Sequence, residues 1–309
     1  MPGRRLIFAF AASILGSLGT GIYAQDVNDR WFLRGDFQGL LSEYSGTQER
    51  DALGNLGLFI RADYLDRGGI TIGYNRTVLS FQDGDQPDIK QDNLFLSGRW
   101  RATPDWAPGS FTFRLDGHVI SNNDSTNGTD DVTAIAPQLS FLNYQESFYL
   151  DIGYSVSSYG DSLLVPQALE IDQLTPTLGF GFNEQRDWLQ FRAYLIDASS
   201  SQRAQDQEDS AALELKWTHW PTARGRLGID NFRVSTVLGE RIFAVDQDAG
   251  GIYNLSDLQT GAAAIGAEWA LNERNRVLVL LGLERYENRA INEDYQNTFL
   301  YFNFTHEWN

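Results

Sequence analysis

Apolar and polar residues alternate one for one along most of this chain. Phe111, Phe113, Leu115, Gly117 and Val119 interleave with Thr112, Arg114, Asp116 and His118, and Phe148, Leu150, Ile152, Tyr154 and Val156 interleave with Tyr149, Asp151, Gly153 and Ser155. A period of two is the signature of an extended strand with one oily and one polar face. Read forward, the pattern predicts strands at 31–44, 55–64, 70–81, 93–100, 111–119, 132–141, 148–159, 174–182, 188–197, 211–219, 226–238, 259–271, 277–286 and 297–308. Pro137 interrupts the sixth. In the eleventh the apolar phase slips between Ile229 and Phe232, which predicts a bulge.

The connections alternate in character. Those after even-numbered strands are tight, as at Asp66-Arg67-Gly68-Gly69, Asn143-Tyr144-Gln145-Glu146 and Asn183-Glu184-Gln185-Arg186, whereas 83–92, 121–131, 199–210 and 239–257 are longer and acidic. An even strand count, short turns on one side, long loops on the other, and one almost purely apolar face per strand predict an all-β, antiparallel, up-and-down barrel of about 14 strands that crosses a membrane. Most strands have the roughly 9–11 residues that a tilted membrane strand needs. A globular sandwich is the alternative, but it gives no reason for the alternation of short and long connections.

The 309 residues show one composition regime after the N-terminus, so a single domain is expected. Arg4 and Arg5 precede an apolar run from Leu6 to Leu18 and small residues ending at Ala24, which predicts a cleavable signal peptide over 1–24 and a barrel over 25–309. Cleavage would move the net charge from −17 to −19, because only Arg4 and Arg5 leave with it. A chain this acidic repels a phosphate backbone, so no nucleic-acid partner is expected. With no cysteine there is neither a disulfide framework nor a lipid-anchor site. Nothing in the sequence calls for a cofactor.

Tryptophan bears on the orientation. All eight, Trp31, Trp100, Trp106, Trp188, Trp217, Trp220, Trp269 and Trp308, fall at the tight-turn end. Trp31, Trp100, Trp217, Trp269 and Trp308 share the apolar phase, as a membrane-interface girdle requires. The mature chain thus resembles Gram-negative outer-membrane β-barrel proteins. Its last strand, Leu300-Tyr301-Phe302-Asn303-Phe304-Thr305-His306-Glu307-Trp308, is similar to the terminal strand read by barrel-insertion machinery, although Asn309 follows the aromatic here. The resemblance implies residence in the cell outer membrane with periplasmic termini, and contact with outer-membrane lipid and lipopolysaccharide.

If Leu and Phe face lipid, the opposite phase lines an interior. It carries Arg34, Asp36 and Gln38, then Asn55, Arg61 and Asp63, then Arg99, Arg114, Asp116 and His118, then Gln190, Arg192, Glu214 and Lys216. Unpaired charge is too costly to bury dry, so this interior is wet or laced with ion pairs. Arg34, Arg61, Arg99, Arg114 and Arg192 at similar depth suggest a basic band that favours anions. Pairing of the same arginines with Asp36, Asp63, Asp116 and Asp151, which would only stiffen the wall, is the competing reading. Two long loops are apolar, Ser162-Leu163-Leu164-Val165-Pro166 leading to Leu169 and Ile171, and Arg241-Ile242-Phe243-Ala244-Val245 leading to Ile252-Tyr253-Asn254-Leu255, and both are expected to fold over or into the barrel mouth.

Enzymatic chemistry has thin support. Asp116 and His118 lie on one face of a strand, where a carboxylate can orient an imidazole. With Asp83 and Asp85 they resemble the residue types of omptin proteases, but those barrels have ten strands. The acidic run Asp83, Asp85, Asp88 and Asp92 lacks the order of a calcium loop, so no metal site is assigned. The expected function is therefore a porin-like channel for small polar or anionic solutes, similar to monomeric fourteen-strand porins. Fatty-acid transporters of that strand count carry an N-terminal plug, for which few residues remain between Ala24 and the first strand. A non-conducting scaffold, adhesin or secretion-partner barrel is the alternative, and oligomeric state is left open.

Overall fold

The computed structural model describes residues 31–308 apart from 66, 84–85, 125, 127, 223–226, 247–250 and 253–255. The expected signal peptide and Asn309 lie outside the described residues. Eleven strands follow one another: β1 (Trp31–Ser45), β2 (Arg50–Tyr64), β3 (Gly68–Phe81), β4 (Ile89–Ala102), β5 (Gly109–Asn122), β6 (Val132–Asn143), β7 (Phe148–Tyr159), β8 (Leu169–Phe182), β9 (Asp187–Ala198), β10 (Asp209–His219) and β11 (Ile229–Arg241). A short hairpin of β12 (Val245–Asp246) and β13 (Gly251–Ile252) intervenes before β14 (Leu258–Ala270), β15 (Asn275–Asn288) and β16 (Glu293–Glu307). Apart from the hairpin, every strand pairs antiparallel with its neighbours in sequence order, and β1 pairs with β16 to close a barrel of fourteen strands. Closure removes the unpaired edges that an open sheet would present to lipid.

All fourteen expected strands are present, and most are longer than the alternation suggested. β2 starts at Arg50 rather than Asn55, and β8 at Leu169 rather than Leu174. The bulge is present, as a register shift between Ile229 and Asn231 against β14. Pro137 keeps its place opposite Leu115 on β5, while the β6–β7 ladder lapses between Ile135 and Gln138, where proline has no N–H to give. The rhythm of connections is less strict than expected. On the loop end, residues 46–49 and 289–292 are as short as the turns, and on the turn end residues 220–228 are long.

The outer surface is apolar across adjacent strands, with Leu94, Leu96, Ile70, Ile72, Leu150 and Ile152 exposed. Nearer the tight turns it is aromatic, with ring contacts Trp31–Tyr64, Phe111–Phe141 and Phe148–Phe180 at 5.1, 5.1 and 5.9 Å. Burying so much apolar area outward only makes sense against hydrocarbon. Trp188 is on the other face: its indole lies in the lumen over Gly179, where a Cβ would come within 2.5 Å of the ring.

Candidate functional site

The barrel interior has two regimes. At the end bearing the termini and tight turns, inward side chains are polar. Arg34, Arg61, Arg99, Arg114 and Arg233 line a cavity of about 470 Å³ together with a single carboxylate, Asp36. Alternation on β1, β2, β4, β5 and β11 aims these five arginines at the same space, because paired residues of neighbouring strands share a face. Arg34 pairs with Asp36 at 3.0 Å, Arg61 and Arg99 share Asp63 at 2.9 and 2.8 Å, Arg114 pairs with Asp116 at 2.8 Å, and Arg233 pairs with Glu268.

In each pair the guanidinium stands further into the open than its acid. Arg34 is 41% exposed against 11% for Asp36, and Arg233 is 40% exposed against 12% for Glu268. Asp116 is almost wholly buried under Arg114. The carboxylates lie against the wall and accept further bonds there: Asp36 takes the Thr305 hydroxyl at 2.6 Å. A solute in this cavity therefore meets arginine N–H groups, with the neutralising charges set behind them.

The loop end is different. Ile120, Val132, Tyr159, Leu169, Ile171, Tyr194, Ile196 and Val237 all face inward from β5 to β11 and form one buried apolar cluster. Onto them folds the segment after β11: Ile242, Phe243 and Ala244 are buried in that cluster, with the Phe243 ring 4.9 Å from Tyr159. Gln173 on β8 fixes the next residue twice, donating Nε2 to Val245 O at 2.8 Å and accepting Val245 N–H on Oε1 at 2.9 Å. Further on, Asp257 pairs with Arg50 of β2 and accepts the Tyr295 hydroxyl of β16. The described parts of this stretch thus touch the β8 wall at Val245 and the β2–β16 wall at Asp257.

The expectation that Ile242–Val245 enters the mouth agrees with this arrangement; Tyr253, Asn254 and Leu255 lie outside the described residues. For the other apolar loop it holds only where the loop runs into β8, at Leu169 and Ile171; Leu163 and Leu164 are 72% and 75% exposed. Ser162 and Leu163 are tied instead to Thr126 O, which holds the loop backbone down and leaves both leucines pointing outward.

Opposite the apolar cluster a second cavity of about 270 Å³ remains, walled by β1–β4, β15 and β16 and by residues of two loops. Leu40, Leu53, Leu79 and Ile89 give it apolar sides. It stands next to the arginine cavity along the same strands: Leu40 lines one and Gln38, the next inward residue on β1, lines the other.

Of the residues singled out in the sequence, Arg34, Asp36, Arg61, Arg99 and Arg114 meet in the arginine cavity, with Asp63 and Asp116 behind them. Arg192, Lys216 and His118 do not line it. Arg192 is buried beneath the inward segment, 3.8 Å from both Glu214 and Asp246, and Lys216 pairs with Glu214 at 3.2 Å. His118 is buried against the Phe95 ring at 4.9 Å, and neither of its nitrogens has a hydrogen-bond partner among the described residues. Asp116 bonds Arg114 rather than His118, so the supposed dyad is not formed. Asp85 lies outside the described residues, and among those described no group of three or more potential metal ligands gathers. Trp31, Trp100, Trp217 and Trp269 sit at the terminal end of β1, β4, β10 and β14 on the outward phase, and Trp308, just past β16, lies against Gly35 of β1.

Arg233 and the apolar lining were missed, although the lining left a signal. Inward positions change character along single strands: Thr112, Arg114, Asp116, His118 then Ile120, and Gln190, Arg192 then Tyr194, Ile196. That switch marks where the lumen stops being wet.

No protein-family model matches the sequence. No curated protein matches it either. Solved structures do match in fold. The Ralstonia pickettii toluene transporter TbuX is 8% identical, with 92% of this chain and 90% of that one covered at a TM-score of 0.55. The CymD monoaromatic hydrocarbon channel is 10% identical, with 91% and 89% covered at 0.54. The Pseudomonas putida toluene transporter TodX is 10% identical, with 91% and 90% covered at 0.50. The fold is that of outer-membrane channel barrels, a likeness of architecture that identity this low does not extend to solute.

Proposed function

We propose that this barrel is an outer-membrane channel that passes small solutes and favours anions, with its tight turns and termini toward the periplasm and the inward segment narrowing its outer mouth. The observation that carries this is the placement of charge. Five arginines and one carboxylate line the terminal-end cavity, and each guanidinium is more exposed than its partner acid. Donors fixed on a rigid wall attract anions without having to reorganise. The five outward tryptophans serve as the periplasmic-side girdle, and the outward aliphatic face meets lipid and, at the loop end, lipopolysaccharide. Barrel-insertion machinery is the expected assembly partner.

Reversal potential in a KCl gradient across a planar bilayer tests the reading. Arg99→Gln is the informative variant, because Asp63 keeps Arg61 and no acid loses its cation. Arg114 is a poorer choice, since Asp116 is buried beneath it. Selectivity should move toward cations, and the shift should be larger at low salt than at 1 M, where the Debye length falls to about 3 Å. Unchanged selectivity refutes the anion preference. Absence of discrete conductance steps from well-folded protein would favour the non-conducting scaffold.

A further inference from the structure

We propose that the loop-end cavity is a binding site for a small organic anion with an apolar body of about one ring. The proposal rests on the channel reading above and names its solute. Three features of the walls point to this class.

The first is size and lining. Leu40, Leu53, Leu79 and Ile89 surround about 270 Å³. An apolar cavity of about 150 Å³ lined by aliphatic and aromatic side chains accepts a benzene ring. The remaining space suits one compact substituent. The second is the state of the polar groups. Glu284, the buried acid of the wall, already accepts bonds from Asn297, Gln259 and Tyr286 at 2.9, 3.1 and 2.8 Å. Asp124 is likewise occupied, by Thr126 and the Gly128 N–H. Three other wall groups keep capacity: Arg50 Nη1 and Tyr44 Oη, buried beside one another, and Asn297 Oδ1, buried without a hydrogen-bond partner among the described residues. Two of the three, on Arg50 and Tyr44, can donate, which is what a carboxylate needs. Asn297 offers an acceptor for a hydroxyl substituent.

The third feature is continuity. Arg50 is held in place by Asp257 and by the Tyr44 and Tyr295 rings, 5.8 and 5.3 Å from its guanidinium carbon. Below it, on the same β1–β4 wall, stand Arg34, Arg61 and Arg99. An apolar anion leaving the upper cavity thus meets guanidinium groups next, whereas a neutral hydrocarbon would gain nothing from them.

Isothermal titration of the refolded full barrel in detergent tests this with three probes: sodium benzoate, benzyl alcohol as its neutral counterpart, and sodium acetate as the ring-less anion. Benzoate should bind saturably, and at least several-fold more tightly than either of the others. Leu53→Trp fills the cavity and should weaken benzoate at least tenfold; Leu40→Trp, on another strand, does the same should the first variant fold poorly. No saturable benzoate binding overturns the site. Benzyl alcohol binding as tightly as benzoate overturns the anionic class, and undiminished binding in folded Leu53→Trp and Leu40→Trp overturns the location. The KCl reversal potential reports the arginine cavity separately, so an empty site and a non-selective channel give different results.

Discussion

Truncating Phe243 to alanine should release the inward segment from the mouth. The side chain is fully buried, packs on Tyr159 and belongs to the apolar cluster of the β5–β11 wall. Phe→Ala at such a site costs about 3–5 kcal/mol, the sum of lost transfer energy and the cavity left behind. The loss will not unfold the barrel, whose strand ladder does not depend on this residue. It falls on the local equilibrium between docked and undocked segment. At about 1.4 kcal/mol per decade, the undocked fraction rises by about two to nearly four orders of magnitude. Docking also has an opposing term to overcome, because Phe243 is held at φ 51°, where a side chain other than glycine costs roughly 1–2 kcal/mol. Single-channel recording should show higher mean conductance and open-channel flicker, and amide exchange at residues 242–246 should quicken. Wild-type conductance noise together with wild-type exchange in a folded Phe243→Ala barrel would refute the argument that apolar burial holds the segment.

Other expectations follow from named contacts. Gln173→Leu keeps the bulk but leaves Val245 N–H and C=O unpaired, weakening docking by about 2–4 kcal/mol; its effect on exchange should be non-additive with Phe243→Ala, as a double-mutant cycle will show. A Cβ at Gly73 would lie 2.1 Å from the Phe59 ring, so Gly73→Ala should destabilise by about 1–3 kcal/mol in urea refolding, and Phe59→Ala should relieve it. Arg203, in the one-turn helix of residues 201–203, donates to Gly160 O and Gln167 O at 2.7 Å and to Gly128 O at 2.9 Å. Arg203→Ala should speed protease cleavage within residues 160–168 while the barrel stays intact. Arg203→Lys should not restore resistance, because a single ammonium cannot reproduce the three-way fork.

The fold was legible because lipid on one face and water on the other impose strict alternation, and the same rule put Arg34, Arg61, Arg99 and Arg114 on the inner face. Their partners were legible too, since Arg-x-Asp on one strand brings both side chains to one side, as in Arg34–Asp36, Arg61–Asp63 and Arg114–Asp116. Depth was not. Arg192 shares the inward phase with Arg114, yet only Arg192 is covered, by a segment 50 residues further along the chain, and alternation carries no information about what crosses the lumen. The outward turn of Leu163 and Leu164 was hidden for the same reason. Ile242 and Phe243 have an apolar wall facing them, whereas Leu163 and Leu164 are held outward by backbone bonds to Thr126.

The apolar wall and the inward segment explain each other. Tyr159, Leu169, Ile171, Tyr194 and Ile196 point into a lumen whose lower half is charged, and left bare they would expose a large oily patch to water. The segment covers them, and at its far side burial of Leu258 in the same cluster is joined by the Arg50–Asp257 pair. That difference in anchoring determines which part can move. The Phe243 side is held by burial, which ionic strength barely weakens, and the Asp257 side by burial of Leu258 together with a buried ion pair whose loss leaves Asp257 without its cation. Arg50→Met should therefore free the Asp257 side and open the loop-end cavity while leaving Ile242–Val245 docked. Exchange would rise at residues 256–257 and stay low at 242–245; rapid exchange at both would mean that the segment undocks as one unit and that the two anchors are not independent.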